Sequence, residues 1–260
     1  MSVAINDLNV SIAGHRIVRG VHIDIADGER VGLIGPSGSG KSMIAKALMG
    51  ILPSNATTSG SISVDVGELA GAAETELADL RGRYMGMVFQ NPAAALNPVW
   101  SVSRQIGLPL ALHYDVDASE RRDRVMAMLR KVGLPEDVAD KFPHELSGGQ
   151  QQRVGIATAL ITSPRLIVAD EPTTALDSIT QRQIIDLLVS LVDDAGASML
   201  FITHDFSVLA HATTRCYVLE SGEVRESGAT ADVLSSPQSE VGGRLVAAAR
   251  KLTLEAGHAV

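Results

Sequence analysis

The residues whose chemistry is easiest to read form the run Gly35-Pro-Ser-Gly-Ser-Gly-Lys41-Ser42, which follows a short apolar stretch and precedes the helix-like MIAKALMG. Its spacing fits loops that bind phosphate. Glycines let the backbone curl until successive N–H groups and a helix N-terminus face anionic oxygens. Lys41 is expected to reach the β- and γ-phosphates of a nucleotide and Ser42 to ligate Mg2+; a Gly/Ser-rich surface loop is the alternative. The predicted contacts are Gly35, Pro36, Ser37, Gly38, Ser39, Gly40, Lys41 and Ser42.

A pair of carboxylates ends the apolar run Leu166-Ile-Val-Ala-Asp170-Glu171. A phosphate loop needs a carboxylate on the metal side, and we expect Asp170 to hold the Mg2+ shell. Glu171 is predicted to be the catalytic base, because a carboxylate there can orient the attacking water or accept its proton. A solvated acidic pair at a strand end is the alternative. Loop and pair together indicate a P-loop NTPase, a class that includes kinases, helicases and GTPases.

The segment Leu146-Ser-Gly-Gly-Gln150 distinguishes among these classes of P-loop NTPase. It precedes the two carboxylates in the chain and begins the helix-like run QQRVGIATALI. In this order of motifs the chain resembles the ABC ATPase family. There the segment caps the γ-phosphate bound to the other subunit, and a Gly- and Ser-bearing helix N-terminus favours anions. A simple helix-start turn is the alternative, and it leaves the spacing unexplained. The resemblance implies nucleotide contacts from Ser147, Gly148, Gly149 and Gln150.

Two residues at the ends of apolar runs, Gln90 and His204, occupy the places that the motif order of the same family gives to a glutamine and a histidine. Gln90 ends the run MVFQ, and the resemblance implies that it senses the γ-phosphate and Mg2+ and links the core to a helical lobe. His204 ends LFITH and resembles the switch histidine that hydrogen-bonds the γ-phosphate. A lone Gln or His at a strand end is more often structural, so their register with the other motifs carries the assignment. The predicted catalytic residues are Glu171, His204 and Gln90, and the predicted metal ligands are Ser42, Gln90 and Asp170.

Two further positions are read from the resemblance. Thr174-Ala-Leu-Asp177 looks like the loop that crosses the dimer interface and couples the two sites, with Asp177 as its key residue. Ile12 lies roughly where the family stacks adenine on an aromatic ring. An isoleucine offers only apolar contact, so nucleotide affinity or base selectivity is expected to be weaker unless His15 substitutes in part.

Residues 89–98, FQNPAAALNP, are similar to the peptide/nickel branch of ABC importers. The resemblance therefore points to uptake, with the lobe after Gln90 gripping a short permease helix; Trp100 is either an exposed anchor there or a buried lobe residue. Many members of that branch carry a Pro-Tyr segment and a cysteine-containing extension near the end. Here the corresponding stretch is SSPQSEVGGRLVAAARK, which leaves peptide, dipeptide, nickel and metal-chelate uptake open.

Composition excludes several other classes. Of 260 residues, 45% are hydrophobic and 20% charged, the balance of a folded globular protein. A net charge of -8 without a Lys/Arg run argues against nucleic acid as a partner. No apolar stretch approaches the roughly 18 residues that span a bilayer. The single cysteine, Cys216, rules out an internal disulfide and is expected in the core.

The elements that must position these residues are those of an α/β fold. Apolar alternation predicts N-terminal antiparallel strands with turns at 13–14 and 27–28, and a later hairpin turning at Ser221-Gly222. Short apolar runs predict parallel strands under helices at 30–35, 84–90, 165–170 and 198–203. We expect a P-loop NTPase core of the ABC ATPase type with an N-terminal antiparallel β subdomain and an inserted helical subdomain. The expected domain is a single one over 1–260, with the helical subdomain at about 91–160 and a C-terminal tail at about 236–260.

The resemblance also implies partners. They are a second ABC ATPase subunit, identical or paralogous, two transmembrane permease subunits, and indirectly a periplasmic or lipid-anchored solute-binding protein. ATP and Mg2+ are the expected cofactors, and the cytoplasmic face of the inner membrane is the expected location. The rival from another class is a soluble ABC protein of DNA repair, chromosome organisation or translation, which usually carries coiled-coil arms, zinc modules or a second cassette. A small-molecule P-loop kinase would leave residues 146–150 unexplained.

Overall fold

The computed structural model describes residues 3–174 and 176–257. The strands and helices within them are, in chain order, β1 (Val3–Ile12), β2 (His15–Ile25), β3 (Arg30–Ile34), α1 (Lys41–Leu48), β4 (Ala56–Val64), β5 (Gly67–Glu68), α2 (Glu74–Arg83), β6 (Met85–Val88), α3 (Pro92–Ala95), α4 (Val102–His113), α5 (Ala118–Lys131), α6 (Gly148–Leu160), β7 (Leu166–Asp170), α7 (Ser178–Asp194), β8 (Ser198–Thr203), α8 (Phe206–Ala212), β9 (Arg215–Glu220), β10 (Glu223–Ala229), α9 (Thr230–Ser235) and α10 (Glu240–Gly257). The α/β architecture predicted from the sequence is confirmed.

The chain forms two compact units. The first unit comprises Met1–Glu74 and Ser198–Val260, and the second comprises Thr75–Ala197. The segment predicted as a helical subdomain, 91–160, lies within the second unit. The end of the predicted tail, residues 258–260, lies outside the described residues.

The first unit contains an antiparallel sheet in the order β2-β1-β4-β5. β1 and β2 are joined at Ala13 and Gly14, whose φ values of 48° and 82° suit a two-residue hairpin turn. Their apolar residues face inward, which confirms the predicted antiparallel subdomain. β4 was not predicted, because its sequence ATTSGSISV lacks clear alternation and buries only Ile62 and Val64.

The same unit contains β3, which pairs in parallel with β8 and with β9, and the β9–β10 hairpin. β3 and β8 are almost wholly buried, as expected for parallel strands covered on both faces. Ile34 at the end of β3 and Cys216 on β9 belong to a core cluster closed by residues of α8, α9 and α10. Cys216 is fully buried, as predicted, and burial raises the pKa of its thiol to about 11.

The second unit pairs β6 and β7 in parallel and carries helices α3 to α7. The predicted amphipathic helix is α5, and Asp117 caps it by accepting a hydrogen bond from the Glu120 N–H at 2.8 Å. Val125, Met128 and Leu129 form its buried face. Among the described residues, no helix combines the length and the apolar character needed to cross a membrane.

Arg215 at the start of β9 connects the two sheets of the first unit. Its guanidinium donates to both carboxylate oxygens of Glu29, at 2.8 and 2.9 Å, and to Asp24 at 2.8 Å. The Tyr217 hydroxyl donates to the same Asp24 carboxylate at 2.8 Å. The Tyr217 hydrogen bond, followed by Arg215, lowers the pKa of Asp24, and the Arg215 hydrogen bonds lower the pKa of Glu29.

Arg215→Met is therefore expected to lower the free energy of unfolding at pH 7 by about 2 kcal/mol, because the half-buried Glu29 loses both guanidinium donors and keeps only the Ala26 N–H among its described donors. Both carboxyl pKa values are lowered in the folded state. The wild-type advantage is thus present above the ordinary values of 3.8 and 4.5 and disappears as the pH falls through the lowered ones. Urea unfolding from pH 7 down to pH 3 measures this. The control is Arg225→Met, whose exposed pair with Glu223 should contribute less than about 1 kcal/mol; equal losses for the two variants would contradict the assignment.

Candidate functional site

Residues 35–42, the phosphate loop, connect β3 to α1 in the first unit. Gly38 and Gly40 have φ values of 77° and 105°, in the left-handed region that favours glycine. Gly40 stands at the N-cap of α1, and its carbonyl accepts from the Met43 and Ile44 N–H groups. The strand-loop-helix order predicted from the sequence is therefore present.

Lys41 is only 5% exposed although it is charged. Its Nζ donates to the carbonyl oxygens of Gly35 at 2.8 Å and Pro36 at 3.0 Å, so the ammonium is held across the loop. Ser39 Oγ is buried and has no hydrogen-bond partner among the described residues. A buried cation beside an unpartnered hydroxyl suits an anion with several oxygens.

The pairing register of β3 and β8 determines which residues lie beside the start of this loop. Ile34 is paired with Thr203, so Gly35 and His204 leave adjacent parallel strands at the same sheet edge. His204 is exposed there. Ile12 ends β1 opposite His15 at the hairpin turn, and Ile12 is half-buried. The first unit thus holds the predicted residues Ile12, 35–42 and His204.

The second unit brings Gln90 and Glu171 together. Val88 and Ala169 are partners in the parallel β6–β7 pair, so residues two positions later reach the same edge. The Gln90 side-chain Nε2 donates to Glu171 Oε2 at 2.9 Å. Asp170 is buried at the end of β7, and Glu171 follows it with a φ of 46°, an unusual left-handed conformation for a glutamate.

Thr174 is a contact of Glu171 that the sequence reasoning missed. Its Oγ1 donates to the same Oε2 at 3.0 Å, so an amide and a hydroxyl both orient the carboxylate. The family resemblance assigns Thr174 only to the predicted interface loop. The signal in the sequence was its position three residues after the glutamate, where a turn returns toward Glu171; the Thr174 N–H to Glu171 carbonyl hydrogen bond is part of that turn.

Residues 146–150, the signature segment, begin α6. Ser147 Oγ accepts from the Gln150 N–H at 3.3 Å, and Gln150 Oε1 accepts from the Ser147 N–H at 3.0 Å, which is a capping box. A Cβ on Gly149 would lie 2.9 Å from Thr180 on α7. The helix-start role that the sequence left open is therefore present, with Ser147 and Gly148 exposed at the helix N-terminus.

Asp177 has a local role as well. Its carboxylate caps α7 by accepting from the Thr180 and Ile179 N–H groups at 3.0 and 3.1 Å. The hydrogen bond from the Thr180 backbone is the main cause of its lowered pKa. Ala175 of the predicted interface loop lies outside the described residues.

The stretch after Gln90 exposes apolar side chains. Phe89 is 44% and Val99 is 74% exposed. Trp100, for which exposed and buried placements were both open, is half-buried with the Arg104 guanidinium 4.2 Å from its ring centroid.

Residues 18–174 match the family profile described as ABC transporter. The chain is 43% identical over 235 residues to the peptidoglycan transport ATP-binding protein YejF of Agrobacterium fabrum, covering 89% of this chain but 43% of that protein's length. It is 41% identical over 230 residues to a putative peptide import ATP-binding protein of Brucella ovis, covering 85% and 68%. Among solved structures, a dimeric ATP-binding cassette in a post-hydrolysis state with ADP and phosphate is similar at a TM-score of 0.78 and 33% identity, covering 88% and 98%.

Lys41→Ala is expected to abolish ATP binding, because the variant removes the ammonium that the Gly35 and Pro36 carbonyls hold across the loop. Lys46→Ala on the same helix is the control and should bind like the wild type. Equilibrium binding of a fluorescent ATP analogue compares the two, with circular dichroism to establish folding. Retained affinity in the folded Lys41 variant would remove the phosphate-loop assignment.

Proposed function

The chain belongs to the ABC transporter family, and on that premise we propose that it binds and hydrolyses ATP to power the import of a peptide-class solute. The observation that carries the hydrolytic part is the Glu171 carboxylate held by Gln90 and Thr174 at a strand end. The names of two similar proteins, peptide import and peptidoglycan transport, support the cargo class. They favour peptides over the nickel and metal chelates that the 89–98 segment leaves open.

Glu171 is the proposed catalytic base. It follows Asp170 directly, and its left-handed backbone turns the side chain toward Gln90. A carboxylate fixed by two donors can orient a water and accept its proton as the γ-phosphate is attacked. Gln90 and His204 are the proposed γ-phosphate sensors, since Gln90 lies two residues after the end of β6 and His204 directly follows the end of β8.

The nucleotide is proposed to be MgATP. Lys41 and the N–H groups of residues 37–42 would bind the phosphates, and the Ser39 hydroxyl, which has no partner in the described part of the chain, fits an anion there. Ser42, Gln90 and Asp170 would complete the Mg2+ shell. They offer hydroxyl, amide and carboxylate oxygens, the hard donors that Mg2+ prefers, and the metal would neutralise charge on the β- and γ-phosphates.

The proposed partners are a second cassette, identical or paralogous, two permease subunits and, indirectly, a solute-binding protein. The exposed helix N-terminus at Ser147 and Gly148 supports a role in capping the partner's γ-phosphate. Phe89, Val99 and the half-buried Trp100 support a permease-docking surface. The proposed location is peripheral, on the cytoplasmic face of the inner membrane.

Co-purification tests the whole assignment. The tagged protein is recovered from detergent-solubilised membranes of its own source, and the bound chains are identified by mass spectrometry. Two permeases with a peptide-binding partner protein are expected. Recovery with ribosomes or nucleic acid and no permease would favour a non-transport ABC protein.

Glu171→Gln is expected to lower ATP turnover by at least about 100-fold, because an amide cannot accept the proton. MgATP binding should persist, so a cassette dimer should accumulate. Phosphate release and size-exclusion chromatography with MgATP measure the two effects. Glu120→Gln, which changes an exposed carboxylate paired with Arg124 on α5, serves as the control, and undiminished turnover in Glu171→Gln would overturn the base assignment.

Two substitutions at Ser147 separate helix capping from phosphate binding. Ser147→Asp keeps a good N-cap, so stability should change by less than about 0.5 kcal/mol, but its charge should repel a γ-phosphate and reduce ATPase activity at least about tenfold. Ser147→Ala should instead lose about 1 kcal/mol of stability. Thermal unfolding and steady-state ATPase assays distinguish them. Full ATPase activity in Ser147→Asp would show that the signature segment acts only as a helix cap.

A further inference from the structure

The β9–β10 hairpin turn, Ser221 and Gly222, contacts the phosphate loop. The Gly222 N–H donates to the Ser39 carbonyl at 3.0 Å. The Gly222 carbonyl accepts from the Arg19 N–H on β2 at 2.8 Å. One residue of the turn therefore joins the loop to a strand of the other sheet in the same unit, by main-chain hydrogen bonds alone.

The space around Gly222 admits no side chain. Its φ is 85°, and a Cβ there would lie 2.3 Å from the carbonyl oxygen of Ile17, well inside van der Waals contact. The neighbouring loop residue packs less tightly against the same atom, because a Cβ on Gly40 would lie 3.1 Å from the Ile17 oxygen and 3.7 Å from the Gly222 Cα.

The other end of the loop rests on the same hairpin. A Cβ on Gly35 would lie 2.1 Å from the carbonyl oxygen of Leu219, on β9 just before the turn. Backbone from 219–222 thus contacts both the first glycine of the loop and its Ser39–Gly40 peptide. These contacts involve main-chain atoms, so flexible side chains cannot relieve a displacement.

Because the peptide bond is planar, the hydrogen bond at the Ser39 carbonyl also fixes the direction of the Gly40 N–H. In a trans peptide the C=O and the following N–H point opposite ways. Because the Ser39 carbonyl is bonded to Gly222, the Gly40 N–H points away from the hairpin. Gly40 precedes Lys41 at the start of α1, where N–H groups are the donors that a phosphate requires.

We propose that Gly222 is a positioning residue for nucleotide binding: the 221–222 turn holds the Ser39–Gly40 peptide so that the Gly40 N–H is already oriented toward phosphate. Gly222 itself touches no nucleotide. The inference rests on the proposed phosphate-binding function of residues 35–42. It assigns to the β9–β10 hairpin a part in setting affinity that its sequence, a common two-residue turn, does not suggest.

Gly222→Ala is the first test, with Gly71→Ala as the matched control. Gly71 has a φ of 81° in the same unit, and a Cβ there meets nothing within 4 Å, so the two variants share the backbone strain but not the clash. Affinity for MgATP and MgADP should fall about tenfold or more in Gly222→Ala, since small displacements of binding groups are costly. The kcat at saturating MgATP should fall less than the KM rises, because Glu171 is untouched. Affinities within twofold of the Gly71 variant would overturn the proposal.

Gly222→Asn distinguishes the steric clash of a Cβ from the strain of a positive φ as the cause of lost affinity. Asparagine tolerates a positive φ but still carries a Cβ. It should therefore fail to restore affinity at 222, whereas Gly71→Asn should bind nucleotide like the wild type. Full affinity in Gly222→Asn would show that only the turn conformation matters and would contradict the positioning role.

Hydrogen exchange on the wild-type protein covers the case in which Gly222 variants do not fold. Saturating MgADP should slow exchange of the Gly222 amide several-fold together with the loop amides, while a peptide containing Gly71 should not change. Protection of the loop without the Gly222 amide would refute the inference. Absence of nucleotide binding by the wild type would instead refute the proposed function and the inference with it.

Discussion

Parallel strand pairing is the constraint on which the chemistry of this protein depends. In the first unit Ile34 pairs with Thr203, which brings the start of the phosphate loop and His204 to one sheet edge. In the second unit Val88 pairs with Ala169, which brings Gln90 within hydrogen-bonding distance of Glu171. Parallel strands end side by side, so residues far apart in the chain emerge together. A shift of one residue in either pairing register would move the side chains of the shifted strand to the opposite face of the sheet.

Main-chain atoms of the phosphate loop lie very close to main-chain atoms of other segments. Gly35 and Gly40 each lie against a carbonyl oxygen of another segment, Leu219 or Ile17. Lys41 is buried and held by two carbonyls of its own loop. These contacts fix the main chain of the loop, which reduces the entropy that phosphate binding must offset. Phosphate affinity in this arrangement depends on segments that never reach the nucleotide.

Several residues that the family resemblance implicates in coupling between subunits also have local tasks. Ser147 and Gln150 cap α6, and Asp177 caps α7. A cap leaves the first N–H groups of a helix oriented outward, so the geometry that stabilises the helix also suits an anion presented from outside. Gly149 is small because Thr180 of α7 packs close to it. Stability and recognition therefore place compatible demands on the same short segments.

The sequence by itself determined the motifs, most of the strands and the α/β class, because glycine spacing, apolar runs and turn residues act locally. It placed Lys41 between the glycine-rich loop and a helix, Asp170 at the end of a strand, and residues 146–150 at a helix start. It did not determine β4, whose polar residues gain strand geometry by pairing with β1. Nor did it give the Thr174 contact, the buried state of Lys41, or the bridge from Ser39 through Gly222 to Arg19. Those depend on which distant main-chain atoms meet, and only the packing of strands and turns in three dimensions decides that.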